Sequence, residues 1–265
     1  MATTAAVLSG TEIAQDADNV LVAEGLTKVF AGFAAVKDVN LAVKRGSIHA
    51  LIGPNGAGKT TCFNLLTKTL APTSGRIIFD GEDISRLRTS EVARRGMVRS
   101  FQISATFPNL TVRENVRVAL QSTFGTGYQF WRSIRAVAPL NERVDDLLDQ
   151  VGLSASRDVT AAELSYGKKR ALEIATTLAL EPRVMLLDEP TAGMGHEDVG
   201  PITELIKRAA IGRTVLLVEH NLSVVSTLCD RITVLQHGEV LAEGNYAEVS
   251  SNPAVITAYM GGVDE

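Results

Sequence analysis

Eight consecutive residues, Gly53-Pro54-Asn55-Gly56-Ala57-Gly58-Lys59-Thr60, carry the spacing G-x-x-x-x-G-K-[ST] of a phosphate-binding loop. Glycines let backbone N–H groups turn inward around an anion with no side chain in the way, and a helix beginning near Lys59 aims the positive end of its dipole at the same point. Lys59 adds a full charge, and Thr60, followed by Thr61, offers a hydroxyl to a hard cation such as Mg²⁺, which takes oxygen ligands. With glycine near 7% of residues on average, this pattern arises by chance in roughly one chain of this length in a hundred, so a plain glycine-rich turn is the weaker reading. A second cluster, Asp188-Glu189 before Pro190, is a common surface feature by itself. Beside a phosphate loop it implies a division of labour, with Asp188 holding the shell of a Mg²⁺ ion and Glu189 positioning and polarising a water. His220, after Glu219, is a third polar group; a lone histidine is more often structural, and its weight comes from its place in the chain.

That place is set by three short runs. Ile48 to Ile52, Val184 to Leu187 and Val215 to Val218 are apolar almost throughout rather than alternating, as strands of a parallel sheet buried on both faces require. Each ends at one of the polar clusters. Ligands of open parallel sheets sit beyond the carboxyl ends of the strands, so the clusters are expected to converge on one site.

The 265 residues are 45% hydrophobic and 21% charged with a net charge of -4, an ordinary globular composition without the basic footprint of a nucleic-acid binder. No apolar stretch approaches the roughly twenty residues of a membrane-spanning helix. Residues 1–19 lack a basic start and an apolar run and read as a frayed tail rather than a signal peptide. Cys62 and Cys229, far apart and in no metal-ligand spacing, read as two reduced thiols.

From about Val20 to Gly262 the order of motifs resembles the ABC (ATP-binding cassette) ATPase family. Phe30 stands at the place of its adenine-stacking aromatic, with a core phenylalanine as the alternative. Gln102 in Ser100-Phe101-Gln102 looks like its glutamine loop, which contacts Mg²⁺ and water. Leu164-Ser165-Tyr166-Gly167-Lys168 looks like its signature loop, with Tyr166 and Lys168 departing from the usual Leu-Ser-Gly-Gly-Gln. The resemblance implies an α/β, RecA-like P-loop NTPase core with a mainly parallel sheet, an N-terminal antiparallel β subdomain and a helical insertion. On that pattern residues 20–265 form one ATPase domain, with 20–101 and 170–265 as nucleotide-binding core and 102–169 as helical subdomain. It also implies ATP and Mg²⁺ as ligands, and Glu189, His220 and Gln102 as catalytic groups. Two cassettes, identical or related, would sandwich ATP so that the signature loop of one completes the site of the other. Partners would be transmembrane permease subunits and, indirectly, a periplasmic or extracellular solute-binding protein, placing the chain on the cytoplasmic face of the inner or plasma membrane.

Three segments, Met97 to Gln102, Phe107 to Val116 and Val255 to Gly261, look like the branched-chain amino acid importer branch. The loop Ala192-Gly193-Met194-Gly195 lacks the family's usual terminal aspartate, which puts communication between the two sites in question. Independently of the resemblance, Ser165 suits a helix N-cap ahead of Ala171, Ile174, Ala175, Leu178 and Ala179 at helical spacing. Lys168 and Lys169 in that first turn oppose the helix dipole, so either the helix end binds an anion or both point into water. Val144, Leu147, Leu148 and Val151 mark an amphipathic helix in the insertion. The aromatics Phe124, Tyr128, Phe130 and Trp131 are either lobe packing or part of a groove for a permease helix. A P-loop kinase or GTPase would not explain Leu164 to Lys168, and a non-transport cassette acting on DNA or ribosomes would usually carry a coiled-coil insertion or a second cassette.

Overall fold

The structure is a computed structural model describing residues 16–100, 106–123 and 138–260. Gln102 and the cluster Phe124, Tyr128, Phe130 and Trp131 lie outside these residues. Along the chain run β1 (Asn19–Phe30), β2 (Phe33–Lys44), β3 (Ile48–Ile52), α1 (Lys59–Leu66), β4 (Ser74–Phe79), β5 (Glu82–Asp83), α2 (Thr89–Arg94), β6 (Met97–Ser100), α3 (Val112–Thr123) and α4 (Ala138–Gln150). They are followed by α5 (Tyr166–Leu178), β7 (Val184–Asp188), α6 (His196–Ala209), β8 (Thr214–Val218), α7 (Leu222–Leu228), β9 (Arg231–Gln236), β10 (Glu239–Gly244), α8 (Tyr246–Ser250) and α9 (Pro253–Met260). The chain divides into two compact units: one holds the described residues up to Arg95 and again from Cys229, the other runs from Gly96 to Leu228.

In the first unit, β1 and β2 form an antiparallel hairpin that turns through Ala31 and Gly32, both with positive φ (46° and 89°). β1 also pairs with β4, and β4 with β5, giving the antiparallel order β2-β1-β4-β5 expected of the N-terminal subdomain. β3 runs parallel to β9, which is closed by the antiparallel β10. Every residue of β3 is buried, and α1 buries Cys62, Phe63, Leu65 and Leu66. Neither cysteine is in a disulfide, and burial pushes the Cys62 thiol up to about 12, which leaves it inert.

In the second unit, β6, β7 and β8 are parallel neighbours, and β7 and β8 are buried along their whole length. The apolar runs therefore mark buried strands, with one residue added at an end of each, Asp188 after Leu187 and Thr214 before Val215. α3, α4 and α5 pack on one another through stripes at helical spacing: Val112, Val116 and Leu120; Val144, Leu147 and Leu148; Ala171, Ile174, Ala175 and Leu178. Asn115, buried among them, accepts from the Phe107 N–H and donates to the Phe107, Leu110 and Thr111 carbonyls, which fixes the turn leading into α3. Among the described residues no helix is long and apolar enough to cross a membrane.

Candidate functional site

The phosphate loop of the first unit leaves buried β3 at Gly53 and enters α1 at Lys59. A Cβ at Gly53 would overlap the Leu235 carbonyl oxygen of β9, and one at Gly58, whose φ is 94°, would lie 2.5 Å from the Ala35 carbonyl oxygen of β2. Both glycines are thus required by close backbone approach, whereas Gly56 at φ 75° faces open space. Behind the loop, the Gly238 N–H donates to the Ala57 carbonyl at 3.0 Å, tying it to the β9–β10 turn. Pro54, Asn55 and Gly56 form the outer rim, with Asn55 and Gly56 exposed. Lys59 Nζ reaches back over the loop to the Gly53 and Pro54 carbonyls at 2.7 and 2.9 Å, so its ammonium already lies across the concavity an anion would fill. Gly58 caps α1 with no side-chain hydrogen bond, so no side chain competes for that helix end. Thr60 is exposed at the first turn, and Thr61 is half-buried beside it.

Two aromatic residues of this unit bear on the site. Phe30, at the end of β1, is 45% exposed with Lys28 Nζ 5.2 Å from its ring centroid, so it is not a core phenylalanine. Tyr259 of α9 went unnoticed in the sequence as a neighbour of the loop. Burial raises its phenol above the ordinary value, and hydrogen bonding to the Gly53 backbone acts the other way.

The second unit carries the acidic and signature residues. Asp188 ends β7, buried, with Oδ2 held by Arg99 Nη2 of β6 at 2.5 Å. Glu189 is half-buried and adopts φ 45°, a left-handed conformation unfavourable for a non-glycine residue. Its N–H donates to the Val218 carbonyl of β8 at 2.9 Å. Glu219, fully buried, accepts from the Thr191 N–H and hydroxyl at 3.0 and 2.5 Å and from the His220 and Asn221 N–H groups, both at 3.0 Å. One carboxylate thereby joins the loop after Glu189 to the turn that presents exposed His220. Its signal in the sequence was an acidic residue continuing the apolar run Val215 to Val218.

The signature segment begins with buried Leu164, followed by exposed Ser165 and Tyr166. Ser165 occupies the N-cap position of α5, but its side chain accepts no capping hydrogen bond, so the expected cap is positional only. Gly167 is tightly placed, since a Cβ there would lie 2.8 Å from Asp198 Oδ1. Lys168 is exposed, and its Nζ donates to Ser156 Oγ at 3.1 Å. The Tyr166 hydroxyl donates to the Ala192 carbonyl at 2.9 Å. Arg170 was also missed, standing after two lysines like one more surface cation. It is buried, with its guanidinium on the carbonyls of Asp188, Glu189 and Pro190.

Among the described residues no three His, Cys, Asp or Glu side chains gather to hold a metal. Thr60 in the first unit and Asp188 in the second each carry an oxygen donor of the kind a hard cation such as Mg²⁺ takes.

A family described as ABC transporter matches residues 36–192, and one described as Branched-chain amino acid ATP-binding cassette transporter matches residues 239–265. The High-affinity branched-chain amino acid transport ATP-binding protein BraF of Pseudomonas aeruginosa is 39% identical over 252 residues, covering 91% of this chain and 98% of that protein. A crystal structure of the ADP conformation of an ATP-binding cassette of an ABC transporter superposes with a TM-score of 0.80 at 29% identity, covering 92% of this chain and 99% of that one. A dimeric bacterial ABC transporter cassette superposes with a TM-score of 0.72 at 28% identity, covering 85% and 98%.

Proposed function

This chain belongs to the ABC transporter family and is an importer ATPase, and from that premise we propose that it energises uptake of branched-chain or other hydrophobic amino acids through a separate permease. The observation that carries the ATPase chemistry is the loop Gly53 to Thr60, where backbone sterics, a helix start without a side-chain cap and Lys59 all favour one anion. The solute class rests on the relative from Pseudomonas aeruginosa and on the match over residues 239–265.

In this reading Gly53 to Thr61 wrap the phosphates of ATP, with Lys59 exchanging loop carbonyls for phosphate oxygens, and Phe30 stacks on the adenine. Thr60, Asp188 and Gln102 hold Mg²⁺, which when bound screens charge on the phosphates. Glu189 orients the attacking water, and His220 hydrogen-bonds the terminal phosphate. Leu164 to Lys168 of one cassette close over the nucleotide of a second, identical or related, and the dimeric cassette of similar fold supports that arrangement. ATP then stabilises the closed pair and hydrolysis releases it, shifting the permease between its two states. Residues 20–265 act as one ATPase domain, with 102–169 as its helical subdomain.

The permease is proposed to seat a helix in a groove lined in part by Phe124, Tyr128, Phe130 and Trp131, which lie outside the described residues. In this reading the chain sits peripherally on the cytoplasmic face of the inner or plasma membrane, with a solute-binding protein on the opposite side.

Glu189→Gln tests the chemistry. Hydrolysis of Mg²⁺-ATP is expected to slow roughly 10²–10⁴-fold with nucleotide affinity retained. Normal turnover would overturn the assignment. For the solute, the complex copurified with its permease is expected to drive ATP-dependent leucine, isoleucine or valine uptake into proteoliposomes, and failure with every apolar amino acid would remove that part.

A further inference from the structure

Two side chains one turn apart on α5 hold four carbonyls of the loop that follows β7. Tyr166 Oη donates to the Ala192 carbonyl at 2.9 Å. Arg170 donates from Nε to the Pro190 carbonyl at 2.9 Å, and from Nη2 to the Glu189 and Asp188 carbonyls at 2.9 and 3.2 Å. Its Nη1 donates to Glu173 Oε2 at 2.5 Å, one turn further along the same helix. Both members of this ion pair are buried.

A buried ion pair contributes little net stability against an apolar pair of similar volume. What the guanidinium does supply is geometry: a rigid planar fork that reaches three successive carbonyls at once, which a lysine ammonium cannot reproduce. Those carbonyls bracket Glu189, whose φ of 45° is unfavourable for any residue with a Cβ and persists only where neighbours over-determine it. Tyr166 extends the same hold to the segment that lacks the aspartate, with Gly193 at φ 75° turning beneath its hydroxyl.

We propose that Tyr166 and Arg170 are positioning residues that strap the loop 188–192 to α5, so that the signature end of this helix sets the orientation of Glu189. Rigid α5 then links the residue that meets a partner's nucleotide to the carboxylate that acts on its own, and the strap performs the communication for which residues 192–195 offer no carboxylate. The inference rests on the assignment of Glu189 as the water-positioning group.

The test compares Arg170→Lys, Tyr166→Phe and the double variant Arg170→Met/Glu173→Met in the full chain, with kcat, KM for Mg²⁺-ATP and equilibrium affinity for a fluorescent ATP analogue read separately. The double variant removes the pair without stranding a buried charge, and its unfolding midpoint reports whether the fold is kept. Arg170→Lys and the double variant are expected to lose roughly 10- to 100-fold in kcat, with KM and affinity within about twofold of the parent, since misplacement of a reacting group costs rate rather than binding. Tyr166→Phe is expected to lose less, about threefold, as one neutral hydrogen bond is removed. Parental kcat in Arg170→Lys, or in a folded double variant, overturns the strap, as does a loss confined to KM. Glu189→Gln separates the two readings. If it abolishes turnover while the Arg170 variants remain fully active, only the strap fails; if it turns over normally, the assignment beneath the strap fails.

Discussion

The loop after β3 is shaped by side chains left out, with Gly53 and Gly58 pressed against the Leu235 and Ala35 carbonyls. The loop after β7 is shaped by side chains brought in, with Arg170 and Tyr166 reaching it from α5 and Glu219 from beyond β8. In the proposed reading the first presents backbone donors to an anion, so it needs room and a fixed curve. The second presents one carboxylate from a left-handed backbone, so it needs donors that hold its carbonyls. Each solution follows from the group displayed: N–H groups converge when nothing stands between them, and a carboxylate is aimed only when its own main chain is held.

The comparison breaks most visibly at Gly53. Gly53→Ala sets a methyl into the Leu235 backbone oxygen, which cannot swing aside as a side chain would. A loss of about 2–4 kcal/mol is expected, from overpacking and backbone strain together. Gly56→Ala, with open space around it, should cost only the left-handed penalty of about 1 kcal/mol. Urea unfolding of both variants measures the gap. Equal losses would show that conformation alone, rather than close approach, selects the glycines of this loop.

This difference also explains what could be read in advance. A cradle built by omission leaves its mark in contiguous residues, and Gly53 to Thr60, the apolar runs ahead of Asp188 and His220, and the stripe Val144, Leu147, Leu148 are all local patterns. A strap built from distant donors leaves almost none. Arg170 follows Lys168 and Lys169 and looks like a third solvated cation, although it shares a buried helical stripe with Glu173 and Thr177. Polar residues at three- and four-residue spacing inside an apolar helix face were the available signal. Arg99 and Glu219 were hidden for the same reason, since their partners Asp188 and Thr191 are far from them in sequence. Gln102 lies outside the described residues, so its role stands on resemblance.

Acid is expected to weaken the frame of the glycine loop through His49. This imidazole is buried in β3, bonded through Nε2 to Thr233 Oγ1 of β9 at 2.8 Å, and so joins the strand that enters the loop to the strand whose Leu235 carbonyl shapes it. Burial, and secondarily the Arg231 charge, pushes its pKa down to about 3. The unfolded chain takes up the proton near pH 6.5, whereas the folded chain does so only near pH 3. The neutral ring's contribution is therefore complete above the unfolded value and lost as pH falls between the two. At pH 5 the loss is about 2 kcal/mol relative to pH 7. His49→Gln keeps a hydrogen-bonding side chain without a titrating group, so the difference between its denaturation midpoints at the two pH values should be smaller than the parent's. An identical pH dependence would remove His49 as the cause.

The smallest effect is expected where the chain neither omits nor imports a side chain but displays one. Phe30 is exposed at the hairpin tip and contributes little to the core, so Phe30→Ala should leave the unfolding midpoint unchanged. Its proposed stacking on adenine should show instead as weaker ATP binding by about 0.5–1.5 kcal/mol, the range of an aromatic pair. Phe33, which pairs with Phe30 across the hairpin and is 71% exposed, supplies the control, since an equally apolar neighbour separates stacking from general loss of surface. Calorimetric titration with ATP and with inorganic triphosphate makes the distinction chemical, because only the nucleotide offers a ring. Phe30→Ala is expected to weaken ATP and leave triphosphate alone, Phe33→Ala to change neither, and Phe30→Tyr to restore the loss. Equal weakening of both ligands would place Phe30 in the shaping of the loop rather than on the base, joining the hairpin tip to the region built by backbone geometry.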